Sequence, residues 1–278
     1  MLYAKKDIMH KIKIGIIGCG TIGREIAKAC QARLTDRVDL FAICDIDEKK
    51  ALELKKDLKT GTLILKIDEL IEKASFVVEA ASAKISADVL RKCVSKKRGC
   101  LIMSVGGLLG SEKLLKSADG SGVKVYIPSG AICGLDGLKA AGIGNIDSVT
   151  LTTRKPPKGL VGAPYLKENN IDVLSVKKET VVFDGNTEEA VKGFPQNINV
   201  AAVLSIAGIG AKKTRVRIVT SPEYTKNTHD LEIVGDCGKI TTRTDNVPSK
   251  TNPRTSELAI LSAIATIEAA ASSVRIGT

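Results

Sequence analysis

Residues 11–23, Lys-Ile-Lys-Ile-Gly-Ile-Ile-Gly-Cys-Gly-Thr-Ile-Gly, constrain this chain more than any other segment. Ile12, Ile14, Ile16 and Ile17 form a β-branched apolar run, so residues 11–17 read as a strand. Gly18-x-Gly20-x-x-Gly23 follows at once, and residues 22–30 carry a helical apolar pattern. In that order the three glycines have separate tasks. Gly18 makes the tight turn, Gly20 lets a pyrophosphate approach the backbone, and Gly23 lets the helix pack closely, with phosphate at its positive N-terminus. The spacing by itself also fits an ordinary turn. A dinucleotide site needs in addition an acidic residue about twenty positions on, at the end of the next strand. Asp36 and Asp39 precede the apolar run at residues 40–44, whereas Asp45 ends it. Its carboxylate would accept ribose hydroxyls and repel a 2′-phosphate, which favours NAD. Lys49 and Lys50 downstream leave NADP open. The expected cofactor contacts are Gly18, Gly20, Thr21, Ile22, Gly23 and Asp45, with Ser82 at a later strand end.

The rest of the first half repeats the strand–helix alternation. Further strands are expected at 63–65, 76–80, 101–105 and 123–127, and helical segments at 48–58, 68–72, 85–94 and 112–117. This is the pattern of an α/β fold, a Rossmann-type doubly wound parallel sheet, whose ligands bind beyond the C-terminal strand ends. It is expected to occupy residues 1–130. Residues 131–251 then read as a second α/β domain with a mainly antiparallel sheet. Strands at 148–154, 180–183, 214–220, 230–234 and 239–244 alternate apolar and polar residues more clearly, with helices at 188–192 and 198–207 to cover them. Residues 155–170, rich in Pro, Gly and Lys, read as a loop. In the tail, Asn252 is an N-cap candidate and Pro253 fits the first helical position. Residues 256–271 are apolar on nearly every side, so the helix within 252–278 is expected to be buried, packed back on the first domain or else in a subunit contact.

The charge balance is strongly basic: 42 Lys and Arg against 31 Asp and Glu, a net +11. The cations are interleaved with acids along helical segments, and aromatic residues make up only 3% with no Trp. A base-stacking nucleic-acid surface is therefore not expected. No apolar run reaches the length of a membrane span and no signal segment is apparent, which makes the cytoplasm the expected compartment. The 7 cysteines are scattered without a C-x-x-C pair, so neither a disulfide framework nor a metal site is suggested.

Only two histidines are present. His10 precedes the first strand and reads as a surface residue. His229, in Lys226-Asn227-Thr228-His229-Asp230 just before an expected strand, is better placed to exchange a proton near neutral pH during a hydride transfer. An exposed loop histidine beside Asp230 fits the same spacing. A desolvated lysine could serve instead, and Lys155 in Arg154-Lys155-Pro156-Pro157 is one candidate. Of Asn197 and Asn199, one could cap the helix that follows while the other donates its amide to cofactor or substrate. Ser129-Gly130-Ala131 can place backbone N–H groups beside a nicotinamide. Arg154 could clamp a carboxylate bidentately.

Together these landmarks resemble the L-aspartate dehydrogenase family. The likeness runs over nearly the whole chain after residue 11. Beyond the glycine turn it rests on residues 128–137 (PSGAICGLDG), 153–157 (TRKPP) and 194–202 (FPQNINVAA), and on Asn227-Thr228-His229 and residues 252–256 (NPRTS). The resemblance implies oxidation of L-aspartate to iminoaspartate with NAD or NADP. The imine hydrolyses to oxaloacetate and ammonia or feeds NAD biosynthesis through quinolinate. It further implies His229 as the catalytic residue, Ala131 and Asn199 as cofactor contacts, and a homodimer. Arg154, Asn197 and Asn227 are candidates for holding the two substrate carboxylates. The competing readings are a related two-domain oxidoreductase, of the homoserine dehydrogenase or dihydrodipicolinate reductase type, and a non-catalytic NAD(H)-binding regulator.

Overall fold

The computed structural model describes residues 11–58, 61–195, 198–252 and 255–277. His10, Asn197 and Pro253 lie outside the described residues.

The first half alternates β1 (Ile12–Ile17), α1 (Thr21–Ala32), β2 (Val38–Cys44), α2 (Glu48–Asp57), β3 (Leu63–Ile64), α3 (Ile67–Lys73) and β4 (Phe76–Glu79). It continues with α4 (Ala83–Ser95), β5 (Gly99–Ile102), α5 (Glu112–Gly120) and β6 (Val125–Tyr126). The strands form one parallel sheet in the order β3-β2-β1-β4-β5-β6. Strand order reverses between β1 and β4, and a crevice opens where connections leave in opposite directions. Successive side chains of β1 point to opposite faces. Ile14 and Ile16 pack with Ile26 and Ala27 of α1 and Leu54 of α2. Ile17 joins Leu70 and Ile71 of α3 and Leu90 of α4 on the other face. Both faces are thus buried, which is why these strands read as unbroken apolar runs.

The second half contributes α6 (Leu135–Ala141), β7 (Ile146–Lys155), α7 (Pro164–Glu168), β8 (Thr180–Asn186), α8 (Thr187–Gly193) and α9 (Asn199–Ala207). Then come β9 (Arg215–Thr220), β10 (Asn227–Gly235), β11 (Gly238–Asn246) and α10 (Glu257–Ala270). Its sheet runs β11-β10-β7-β9-β8. The β7–β9 pair is parallel and the other three pairings are antiparallel. Val149 and Leu151 of β7 pack with Leu138 of α6 and Leu204 of α9. Tyr165, Phe183 and Phe194 cluster behind them, with ring centroids 5.1 to 5.5 Å apart. Asn186 and Glu189 form a capping box that starts α8, each side chain bonding the other's backbone N–H. Ala263 and Ile267 of α10 are buried in the same cluster as Ile26 of α1, and Arg33 and Glu268 pair at 3.3 Å beside them.

Three local expectations change. His229 lies inside β10, not ahead of it, because its backbone pairs with Thr153 on one side and Thr244 on the other. The polar run Asn-Thr-His-Asp hides a strand whose partners lie far along the chain. Residues 155–170 are not one loop: β7 runs through Lys155, a 3-10 turn follows at Pro157–Gly159, and α7 comes next. The tail helix starts at Glu257, so Asn252 is not its cap. A bridge from Pro248 to Ser256, with Glu257 N–H donating to Val247 O at 2.9 Å, closes the intervening segment first. α6 has no counterpart in the sequence reading.

Candidate active site

The glycine turn is built for close approach. Gly18 has φ +103°, a conformation that favours glycine, and a Cβ on Gly23 would meet Gly18 O at 1.8 Å. Around Gly20 the space is open: a Cβ there would have nothing within 4 Å. Gly20 is the N-cap of α1, no side chain caps it, and no acid sits in the first turn. The leading N–H groups of α1 therefore face an uncluttered surface, as a pyrophosphate site requires. Asp45 stands at the end of the neighbouring β2. Its Oδ2 accepts from Cys19 N at 2.7 Å and its Oδ1 from Asp47 N at 2.9 Å. The acidic group is thus fixed against the glycine turn and only half-buried, a donor-and-acceptor set that fits a dinucleotide.

A carboxylate that the sequence reading overlooked braces the same edge. Glu79 ends β4 and is fully buried. Burying a lone carboxylate costs several kcal/mol. Here the charge is met by Ala81 N at 2.8 Å, Ser82 N at 3.1 Å, Ser104 N at 3.0 Å and Ser104 Oγ at 2.8 Å. Burial still pushes its carboxyl above the usual range, against the pull of those donors. The signal was in the sequence: one acid at the end of the apolar run Phe76-Val77-Val78 must find donors nearby. Ser82 immediately precedes α4 without a side-chain capping bond; its N–H is part of this brace, and it does not line the cleft described next.

That cleft, of about 230 Å³, opens between the C-terminal strand ends of the first sheet and the inner face of the second. Ile22, Ala131, Asn199, Asn227 and His229 all line it, so five of the expected residues meet in one place. Lys155 lines it too. Asn199 Oδ1 accepts from Gly106 N at 3.0 Å, tying α9 to the segment after β5 and leaving the amide NH₂ for a ligand. Ala131 O accepts from Thr244 Oγ1 at 3.0 Å and Asn246 Nδ2 at 3.1 Å, while Ser256 Oγ donates to Asn246 Oδ1 at 2.6 Å. Residue 131, β11 and the segment before α10 are thereby held as one frame.

His229 is 6% exposed, and its Nδ1 lies 3.0 Å from Thr153 Oγ1 on the adjacent strand. Burial, and then the charge of Lys155, pulls its imidazole down to about 3. The ring is neutral at physiological pH. Burial likewise pulls the Lys155 ammonium down to about 8. Nδ1 is taken by Thr153, which leaves Nε2 as the ring nitrogen for the cleft.

Arg154 is not in this cleft. It sits between Thr153 and Lys155 on β7, so alternation turns it to the opposite face, where it pairs with Asp230 and lies 3.9 Å from Glu179. The expected carboxylate clamp is thus occupied elsewhere. Asn197 lies outside the described residues. Nothing in the local sequence marked Thr153 as the partner of His229, because that contact depends on a pairing across 76 residues. Among the described residues no helix is long and apolar enough to cross a membrane.

Residues 18–128 match the family model of the homoserine dehydrogenase NAD-binding domain, and residues 136–270 match the aspartate dehydrogenase C-terminal domain. An L-aspartate dehydrogenase of Methanococcoides burtonii is 46% identical over 272 residues, spanning 96% of this chain and 100% of that protein. One of Bradyrhizobium diazoefficiens is 36% identical over 268 residues, spanning 96% and 95%. The crystal structure of aspartate dehydrogenase from Thermotoga maritima superposes with a TM-score of 0.75 at 26% identity, covering 96% of this chain and 100% of that one. With both halves matched and its relatives aligned end to end, the chain is a member of the L-aspartate dehydrogenase family.

Proposed function

We propose that this protein oxidises L-aspartate to iminoaspartate with NAD, or NADP, in the cleft between its two sheets. The observation that carries the reading is the convergence of His229 with the glycine-turn residue Ile22, the loop residue Ala131 and Asn199 around one small cavity. Gly18, Gly20, Thr21 and Gly23 would hold the pyrophosphate, Asp45 the adenosine ribose, and Ser82 the rim beside them. Ala131 and Asn199 would position the nicotinamide. When bound, the nicotinamide supplies the hydride acceptor. The Asp45 carboxylate at the end of β2 would accept ribose hydroxyls and repel a 2′-phosphate, which supports NAD over NADP.

The residues of the chain then account for the proton. Aspartate must reach the site with a free amine, lose hydride from Cα and lose a proton from nitrogen. A neutral imidazole is a base with a vacant site, and in the tautomer with Nδ1–H donating to Thr153 the lone pair is on Nε2. His229 takes the nitrogen proton and releases it to solvent, or activates the water that hydrolyses the imine. Asn227, beside it in the cleft, would donate its amide to a substrate carboxylate.

We assign the dinucleotide-binding unit to residues 1–130 and the catalytic and dimerisation unit to 131–251, in a cytoplasmic homodimer of the kind the family resemblance implies. The likeness of residues 18–128 to a homoserine dehydrogenase domain concerns the cofactor half; the substrate-facing His229 and Asn227 belong to the other. Purified protein with NAD and L-aspartate should give aspartate-dependent growth of the reduced-nicotinamide absorbance, with ammonia and oxaloacetate appearing in equal amounts. NADH binding with no aspartate-dependent reduction would contradict the reading.

A further inference from the structure

We propose that Lys155 holds a carboxylate of the substrate, the task for which the neighbouring Arg154 was the natural nominee. The inference deepens the functional reading above and rests on it.

Strand geometry separates the two cations. Side chains alternate along β7, so a shift of one residue moves a group to the other face of the sheet. Thr153 and Lys155 share the face that meets the cleft, and Thr153 there touches the His229 ring. Arg154 takes the opposite face and is committed to Asp230. Lys155 is the only lysine or arginine among the described residues that line the cleft. Its backbone is fixed where it emerges from the strand, since its carbonyl accepts from Thr220 Oγ1 of β9 at 2.8 Å.

A dicarboxylate substrate brings negative charge into this cleft. Moving it from water into a half-enclosed cleft is unfavourable unless a cation meets it there. The polar lining otherwise consists of amides, hydroxyls and a neutral imidazole. Lys155 and His229 line the same cleft of about 230 Å³, a space in which one small ligand can meet both. A four-carbon amino acid with a carboxylate on Lys155 can present its amine to the imidazole.

The test compares wild type with Lys155→Met, which keeps the length of the side chain and removes its charge. The KM for L-aspartate should rise about 100-fold, as loss of one member of a desolvated charge pair does. NADH affinity, read by fluorescence, should stay within about twofold, since in this reading the glycine turn, Asp45, Ala131 and Asn199 hold the dinucleotide and Lys155 does not. Lys155→Arg should recover a large part of the loss. Lys155→Gln serves as a second neutral variant should the Met variant fail to fold, which its NADH affinity reports. Succinate, a dicarboxylate without the amine, separates this assignment from the reaction itself. Calorimetry on NADH-loaded protein should show it binding wild type and losing about 100-fold in Lys155→Met. Unchanged succinate affinity and unchanged KM in both neutral variants overturn the Lys155 assignment and leave the reaction standing. Wild-type protein that binds succinate through Lys155 without oxidising aspartate overturns the reaction and keeps the assignment.

Discussion

Thr153 Oγ1 lies 3.0 Å from His229 Nδ1, buried between β7 and β10. The two residues are directly opposite in the strand pairing, so the backbone ladder itself sets their separation. A ring held at one nitrogen offers the other to the cleft in a fixed direction. Thr153 is therefore placed to orient the proton acceptor proposed above.

Replacing Thr153 by Val keeps the shape and removes the hydroxyl. We expect kcat to fall about tenfold, the worth of one positioning hydrogen bond, with NADH affinity unchanged. Thr153→Ser should restore most of it. A merely structural role would give equal losses in the Val and Ser variants.

The glycine turn separates folding from binding. Gly23→Ala forces a methyl into Gly18 O and should lower Tm by roughly 5 °C. Gly20→Ala meets no protein atom, and should leave Tm within about 1 °C while weakening NADH binding at least tenfold. Thermal melts and fluorescence titrations on the two variants check the split. Equal effects on Tm would show that Gly20 is kept for the turn and not for the ligand.

Burial of neutral His229 makes stability depend on pH in a defined window. Its imidazole is near 3 when folded, and a free histidine is near 6.5. Above about 6.5 neither form is protonated and the residue adds no pH dependence. Between about 6.5 and 3 the unfolded chain takes up a proton that the folded one does not, so stability falls as pH falls, by about 1.4 kcal/mol per unit from this group. Urea denaturation at pH 7 and pH 5 should show this loss in wild type and a shallower one in His229→Gln. Equal slopes would mean that the ring is protonated within the fold.

Most of the architecture is legible in the sequence because it is written in local signals. β1 to β4 are apolar runs punctuated by glycine or acid, and the periodicity changes from helical to alternating near Tyr126. The cofactor half of the proposed site rests on local signals for the same reason: Gly18 to Gly23 are contiguous and Asp45 follows a strand end. The substrate half is written in long-range pairing. The place of His229 within β10 is fixed by Thr153 and Thr244, and the choice between Arg154 and Lys155 turns on which face of β7 meets the cleft. Glu79 stands between the two cases. A buried acid was visible, but its partners at Ser104 lie one strand away.

The most direct test of the account is the turnover of His229→Ala with saturating L-aspartate and NAD, measured beside its affinity for NADH. We expect at least a 100-fold loss of kcat, the contribution of a positioned general base, with NADH affinity within about twofold of wild type. Wild-type kcat in a variant that binds NADH normally would remove His229 from the chemistry and contradict the account.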